Sequence, residues 1–107
     1  MKIFVSQPMS GRTDEEVLAE REKYVNAFLA HHGFSTSNTY VQIIENYYKP
    51  DAPIGAKQPW FLGDSLKQMS EADVVLFVPG WKKATGCRIE MECCNAYNID
   101  YVKMKRI

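Results

Sequence analysis

The stretch ADVVLFVPGWKKATGCRIEMECCNAY, residues 72–97, decides the fold. Within it DVVLFVP, residues 73–79, runs Val-Val-Leu-Phe-Val without a polar interruption. A strand of that kind is buried on both faces, as central strands of parallel sheets are. Pro79-Gly80 ends it, and Gly86 opens a helical pattern over residues 86–97. A buried strand that feeds a helix is half of a β-α-β unit, so the expected sheet is parallel. The helix carries two glutamates, Glu90 and Glu92. At about 100° per residue, Ile89, Cys93 and Ala96 mark the expected buried stripe, and the two glutamates flank it on opposite sides. Glu90 falls in the expected first turn, nearer the helix start. A carboxylate there either faces a ligand or complements the helix dipole.

Outward from this stretch, the remaining elements follow by pattern. WFLGDSLKQMS, residues 60–70, reads as a helix with Phe61, Leu62, Leu66 and Met69 on its packed face. Before it, residues 42–59 hold Pro50, Pro53, Gly55 and Pro59 and read as a long loop or an excursion with one helical turn. Residues 34–41 read as a weaker strand, and KIFV, residues 2–5, as a short buried one. Thr13 and Glu16 have the form of a capping box that starts a helix. Its apolar positions are Val17, Leu18, Tyr24, Val25, Phe28 and Leu29, and Gly33 stops it after His31 or His32. DYVKM, residues 100–104, is a last strand. The order β-α-β-loop-α-β-α-β predicts an α/β domain over residues 1–107, with a doubly wound parallel sheet of four to five strands. Ligands of such folds bind beyond the carboxyl ends of the strands. That selects the loops Ser6–Arg12, Thr39–Ala56 and Pro79–Gly86.

Composition narrows the function classes. Lys plus Arg and Asp plus Glu both number 13, so there is no basic surplus to attract a nucleic acid polymer. No apolar run reaches membrane-spanning length, and the apolar run near Met1 is too short for a signal peptide, so the cytoplasm is the expected compartment. Cys87, Cys93 and Cys94 are odd in number and have no second cluster or His pair to complete a metal site. They are expected as free thiols, and no metal or cofactor is expected.

In the first loop, SQPMSGR, Gly11 permits a turn or a close approach. Ser6, Ser10, Arg12 and the N–H groups of the following helix suit an anion, although the loop is neither a P-loop nor GxGxxG. Trp81, just past Pro79-Gly80, either caps the core or walls a pocket.

Taken together, IFVSQPM, GDSLKQMSEADVVLFVPGW and GCRIEMECCNA resemble the nucleoside 2-deoxyribosyltransferase superfamily, in particular its compact phage and bacterial branch. The likeness covers the first 12 residues and then residue 62 to the end. It implies a flavodoxin-like domain, assembly as a homodimer or larger homo-oligomer, and cleavage of an N-glycosidic bond without a cofactor. The nucleophilic glutamate of that family lies four residues after a helix-opening glycine, which falls here on Gly86 and Glu90. The family's upstream aspartate matches Asp64; by itself, Asp64 after Gly63 also has the form of an N-cap. Two positions depart from the family. Phe4 replaces a strand-one tyrosine that hydrogen-bonds the nucleophile, and Ala84 stands where a polar residue often precedes the glycine.

The resemblance implies a small nucleoside or nucleoside 5′-monophosphate as substrate. Glu90 attacks C1′ through an oxocarbenium-like transition state, and Asp64 helps protonate the departing base or orients the sugar. Ser6, Gln7, Pro8, Met9, Gly11, Arg12, Trp81, Gly86 and Cys87 are the expected substrate-binding residues, with Arg12 placed for a 5′-phosphate and Gly86 letting the helix approach closely. Base exchange makes the protein a transferase and attack by water makes it a hydrolase. The Phe4 and Ala84 departures leave a different class open: a non-catalytic nucleotide-binding module, or an interaction protein with a vestigial pocket.

Overall fold

The computed structural model describes residues 1–33, 40–46 and 51–107. Strand β1 (Lys2–Ser6) is followed by α1 (Asp14–His31), β2 (Gln42–Ile43), α2 (Gln58–Met69), β3 (Val74–Phe77), α3 (Thr85–Tyr97) and β4 (Tyr101–Lys103). A 3₁₀ turn, Trp81–Lys83, separates β3 from α3. The four strands form one parallel sheet in the order β2-β1-β3-β4. This is a small flavodoxin-like, doubly wound α/β arrangement. The chain moves from β1 to one edge, returns past it to β3, and continues to the other edge. The switch point therefore lies between the carboxyl ends of β1 and β3.

The pleat sorts the central strands between two cores. Ile3, Val5, Val74, Leu76 and Val78 pack against Tyr24, Val25, Phe28 and Leu29 of α1. Phe4, Val75 and Phe77 point the other way, onto Met69 of α2 and Met91 and Cys94 of α3. β3 is buried throughout, which explains its unbroken apolar sequence. The capping box at Thr13 forms as expected, with Thr13 Oγ1 accepting from the Glu16 N–H and Glu16 reaching back to Thr13 N. None of the helices among the described residues is long and apolar enough to cross a membrane.

Several expectations need correction. The second strand among the described residues is Gln42–Ile43, within the stretch expected as a loop; of the strand expected over residues 34–41, residues 34–39 lie outside the described residues, and Tyr40 and Val41 are not in a strand. Ladder bonds from Gln42 N to Met1 O (2.8 Å) and Ile44 N to Ile3 O (2.8 Å) set that register. Val41 and Ile43 then face the α1 core and Ile44 the opposite one. Leu18 is exposed, and Arg21 takes its place on the buried face of α1. Helix α2 begins earlier than expected, because Pro59 sits in its first turn, where a missing N–H costs nothing. Asp64 is thus well inside the helix and is not an N-cap.

Candidate active site

Glu90 lies at the switch point, and its setting differs from the sequence expectation in two ways. Helix α3 begins at Thr85, so Glu90 stands in the second turn, not the first. The buried stripe is Cys87, Glu90, Met91 and Cys94, whereas Ile89 and Ala96 are exposed and Cys93 is half-buried. A wheel built on hydrophobicity turns a glutamate outward. Here Glu90 is only 5% exposed, because the sheet and α2 supply hydrogen bonds to its carboxylate. Glu92 is exposed.

Both carboxylate oxygens are held. Ser6 Oγ, at the carboxyl end of β1, donates to Oε1 at 2.7 Å. Ser65 Oγ, on α2, donates to Oε2 at 2.8 Å. Phe4 is fully buried in the core and offers no hydroxyl, so the donors to Glu90 are Ser6, two residues further along the same strand, and Ser65 of α2. Burial pushes the Glu90 carboxyl above the usual carboxylate range; the Ser6 and Ser65 bonds and the charge of Arg21 oppose that shift without cancelling it. Cys87, one turn earlier, is buried and its thiol is pushed up to about 11, first by desolvation, against a Ser6 hydrogen bond, with the charges of Glu90 and Glu20 adding to the rise. It is a protonated neighbour and not a ready nucleophile.

A second layer fixes the first loop. Gln7 is buried; its Nε2 donates to Val17 O (3.1 Å) and Glu20 Oε1 (3.1 Å), and its Oε1 accepts from Arg21 Nε (2.7 Å). Arg21 also donates from Nη1 to Ile44 O at 3.3 Å, which ties α1 to the end of β2. Arg12 Nη1 pairs with Glu20 Oε1 at 2.8 Å and donates to Pro8 O at 2.9 Å. The Glu20 bond is the main reason its guanidinium binds its proton more tightly than usual. A phosphate at Arg12 would have to compete with Glu20.

The other expected residues fall around this centre. Gly11 adopts φ +75°, which a side chain rarely tolerates, so its role is the turn. Pro8 and Met9 are half-buried, and a Cβ on Gly80 would meet Pro8 Cγ at 3.9 Å, so the first and third loops touch. Trp81 packs on Phe77, ring centroids 5.4 Å apart, and so lies against the core. A Cβ on Gly86 would make an ordinary 3.8 Å contact with Leu62 Cδ1, so no close approach requires glycine there. Asp64 Oδ2 accepts from Gln68 Nε2 at 2.8 Å, and the α2 side chain that bonds Glu90 is Ser65.

Sequence reading missed Ser65 and Arg21. Both carried a signal: Arg21 lies four residues after Val17 and four before Val25, on the buried stripe of α1, and Ser65 lies four before Met69, the buried residue of α2. A polar residue on such a stripe needs a buried partner. Among the described residues no His, Cys, Asp and Glu side chains cluster to hold a metal ion. A groove of about 330 Å³ lies between α1 and the C-terminal residues Arg106 and Ile107, away from Glu90. No family model, curated protein or solved structure matches the chain.

Proposed function

We propose that the protein cleaves or exchanges the N-glycosidic bond of a (deoxy)nucleoside or nucleoside 5′-monophosphate through a covalent glycosyl ester on Glu90. The observation that carries this reading is one buried carboxylate at the switch point with a serine hydroxyl on each oxygen. Those bonds and Arg21 favour the ionised form that a nucleophile needs, while burial keeps it more basic than a solvated carboxylate. The sequence likeness to nucleoside 2-deoxyribosyltransferases supports the same assignment of Glu90. Attack at C1′ expels the base with the electron pair of the C1′–N bond, and the base takes up a proton. Asp64, on the helix that carries Ser65, is the proposed group to assist that protonation or to orient the sugar, once it leaves Gln68. Transfer to a second base gives a new nucleoside; attack by water gives the free sugar.

A second reading is favoured by the closure of the same centre. Glu90 is almost fully covered, and Asp64 and Arg12 are both engaged within the chain. A binding module, or an interaction protein with a vestigial pocket, needs no more than this. Incubation with a panel of nucleosides and nucleotides, followed by chromatography for released base, separates the two. Release by the wild type, lowered by about 10³-fold or more in Glu90→Gln, roughly 4 kcal/mol in the barrier, is the expected result. Ligand-induced thermal shift without release supports the module.

A further inference from the structure

We infer that Ser6 and Ser65 are unequal positioning residues for Glu90: Ser6 holds Oε1 throughout the reaction, while Ser65 covers Oε2 and yields it to the sugar carbon. This rests on Glu90 being the glycosyl acceptor. When a carboxylate becomes an ester, its two oxygens part company. The attacking oxygen joins C1′ and becomes a poor acceptor. The other becomes a carbonyl oxygen and keeps its hydrogen bond. One donor must therefore be released and the other retained.

The two serines sit on elements suited to those fates. Ser6 is 1% exposed, its carbonyl accepts from Val78 N at 3.1 Å, and it pairs with Phe77 in the central ladder. Its hydroxyl is fixed by the most buried part of the sheet. Ser65 is half-buried on α2, a helix whose one fully buried residue is Met69 at its far end and whose start lacks a side-chain cap. A rotation about its Cα–Cβ bond uncovers Oε2 without disturbing the sheet. Oε2 is thus the attacking oxygen. In the first half-reaction the Oε2–C1′ bond forms and the C1′–N bond breaks, its pair passing to the base, which gains a proton. In the second, water adds to C1′, the Oε2–C1′ bond breaks, one proton is lost and the carboxylate is restored.

Among the described residues the ionisable surroundings of Glu90 are few. α1 contributes the positive charge of Arg21, and α3 contributes Cys87 and Cys94, whose thiols stay protonated across the neutral range. On α2 the nearest ionisable neighbour of Ser65 in sequence is Asp64, bonded to Gln68, and β3 has no ionisable side chain. The acid limb of a pH–rate profile thus reports Glu90. For kcat/KM it reports the free enzyme, in which both serines bond the carboxylate; for kcat it reports the complex, in which Ser65 has already yielded.

Ser6→Ala, Ser65→Ala and Ser65→Thr are compared on whichever nucleoside the wild type cleaves. Ser6→Ala is expected to move the acid limb of both kcat/KM and kcat to higher pH and to lower kcat by about 10- to 100-fold. Ser65→Ala is expected to move the limb of kcat/KM alone, and Ser65→Thr to restore it. Equal displacement of both limbs by the two alanine variants, or displacement by neither, overturns the division of roles. A titration of the ¹³C-labelled Glu90 carboxyl by NMR, without substrate, needs no turnover. Both alanine variants should titrate at higher pH than the wild type, and an unmoved titration in either removes that serine from the clamp. A wild type that cleaves nothing overturns the glycosidase reading and the assignment of Oε2 with it. The NMR shifts then still decide whether the two-serine clamp exists.

Discussion

Replacing Glu90 by Gln should make the protein more stable at neutral pH while abolishing the proposed nucleophile. Glu90 is 5% exposed, and burial outweighs the two serine bonds and the charge of Arg21. The folded protein therefore holds the Glu90 proton more tightly than the unfolded chain does. Between the ordinary carboxylate pKa and the raised native one, the native state carries more protons, so stability falls as pH rises through that window. Below the window the contribution is flat, and above it the full cost of burying the charge remains. Glutamine keeps the shape: its carbonyl accepts from one serine, and its NH₂ donates to the hydroxyl oxygen of the other. Replacing a buried ion pair by uncharged residues of similar volume is often neutral or stabilising by about 1–4 kcal/mol, and Glu90→Gln likewise takes a charge out of the interior. The low end applies here because the two hydroxyls and Arg21 recover part of the cost. About 1 kcal/mol corresponds to a rise in Tm of about 4–8 °C for a domain of this size. Urea unfolding followed by circular dichroism, from about pH 4 to about pH 8, measures the difference. The advantage of Glu90→Gln should grow with pH across the window and be smallest and constant below it. Glu92→Gln, at an exposed position, should stay within about 0.5 kcal/mol throughout. A Glu90→Gln protein less stable than wild type at the alkaline end, with a flat wild-type profile, would refute the claim that burial dominates at this site.

Two further perturbations test the surroundings. Arg21→Ala removes the donor to Gln7 Oε1 and Ile44 O and the positive charge facing Glu90, so urea unfolding should show a loss of about 2–4 kcal/mol, and the Glu90 carboxyl should titrate still higher in pH. Cys87 and Cys94 are buried, with thiols pushed up to about 11, and Cys93 is half-buried, so a thiol reagent at about pH 8 should label Cys93 first and the other two at an appreciable rate only after denaturation, as peptide mass mapping will show.

The parallel α/β fold was legible because it is written in local pattern. The unbroken run Val74 to Val78 announces a strand buried on both faces, and Thr13 with Glu16 announces the start of α1. The position of Glu90 near the carboxyl edge of the sheet followed from the strand-turn-helix order alone. The second strand was not legible, since Ile43 and Ile44 stand in a proline-containing stretch that reads as loop, and the ladder of Gln42 and Ile43 is set by bonds to Met1 and Ile3 far away along the chain. Nor was the facing of α3. Hydrophobicity placed Ile89 and Ala96 inward and left Glu90 on a flank, but the chain buries Glu90 because Ser6 and Ser65, 84 and 25 residues away along the chain, converge on its two oxygens. Whether a charge is buried depends on the partners it meets there, and those arrive from β1 and α2 only when the sheet and helices pack. The sequence by itself determined the order of a parallel α/β domain, its central strands, the start of α1 and which edge of the sheet holds the candidate nucleophile; the tertiary structure alone placed β2 and decided which oxygen each serine holds.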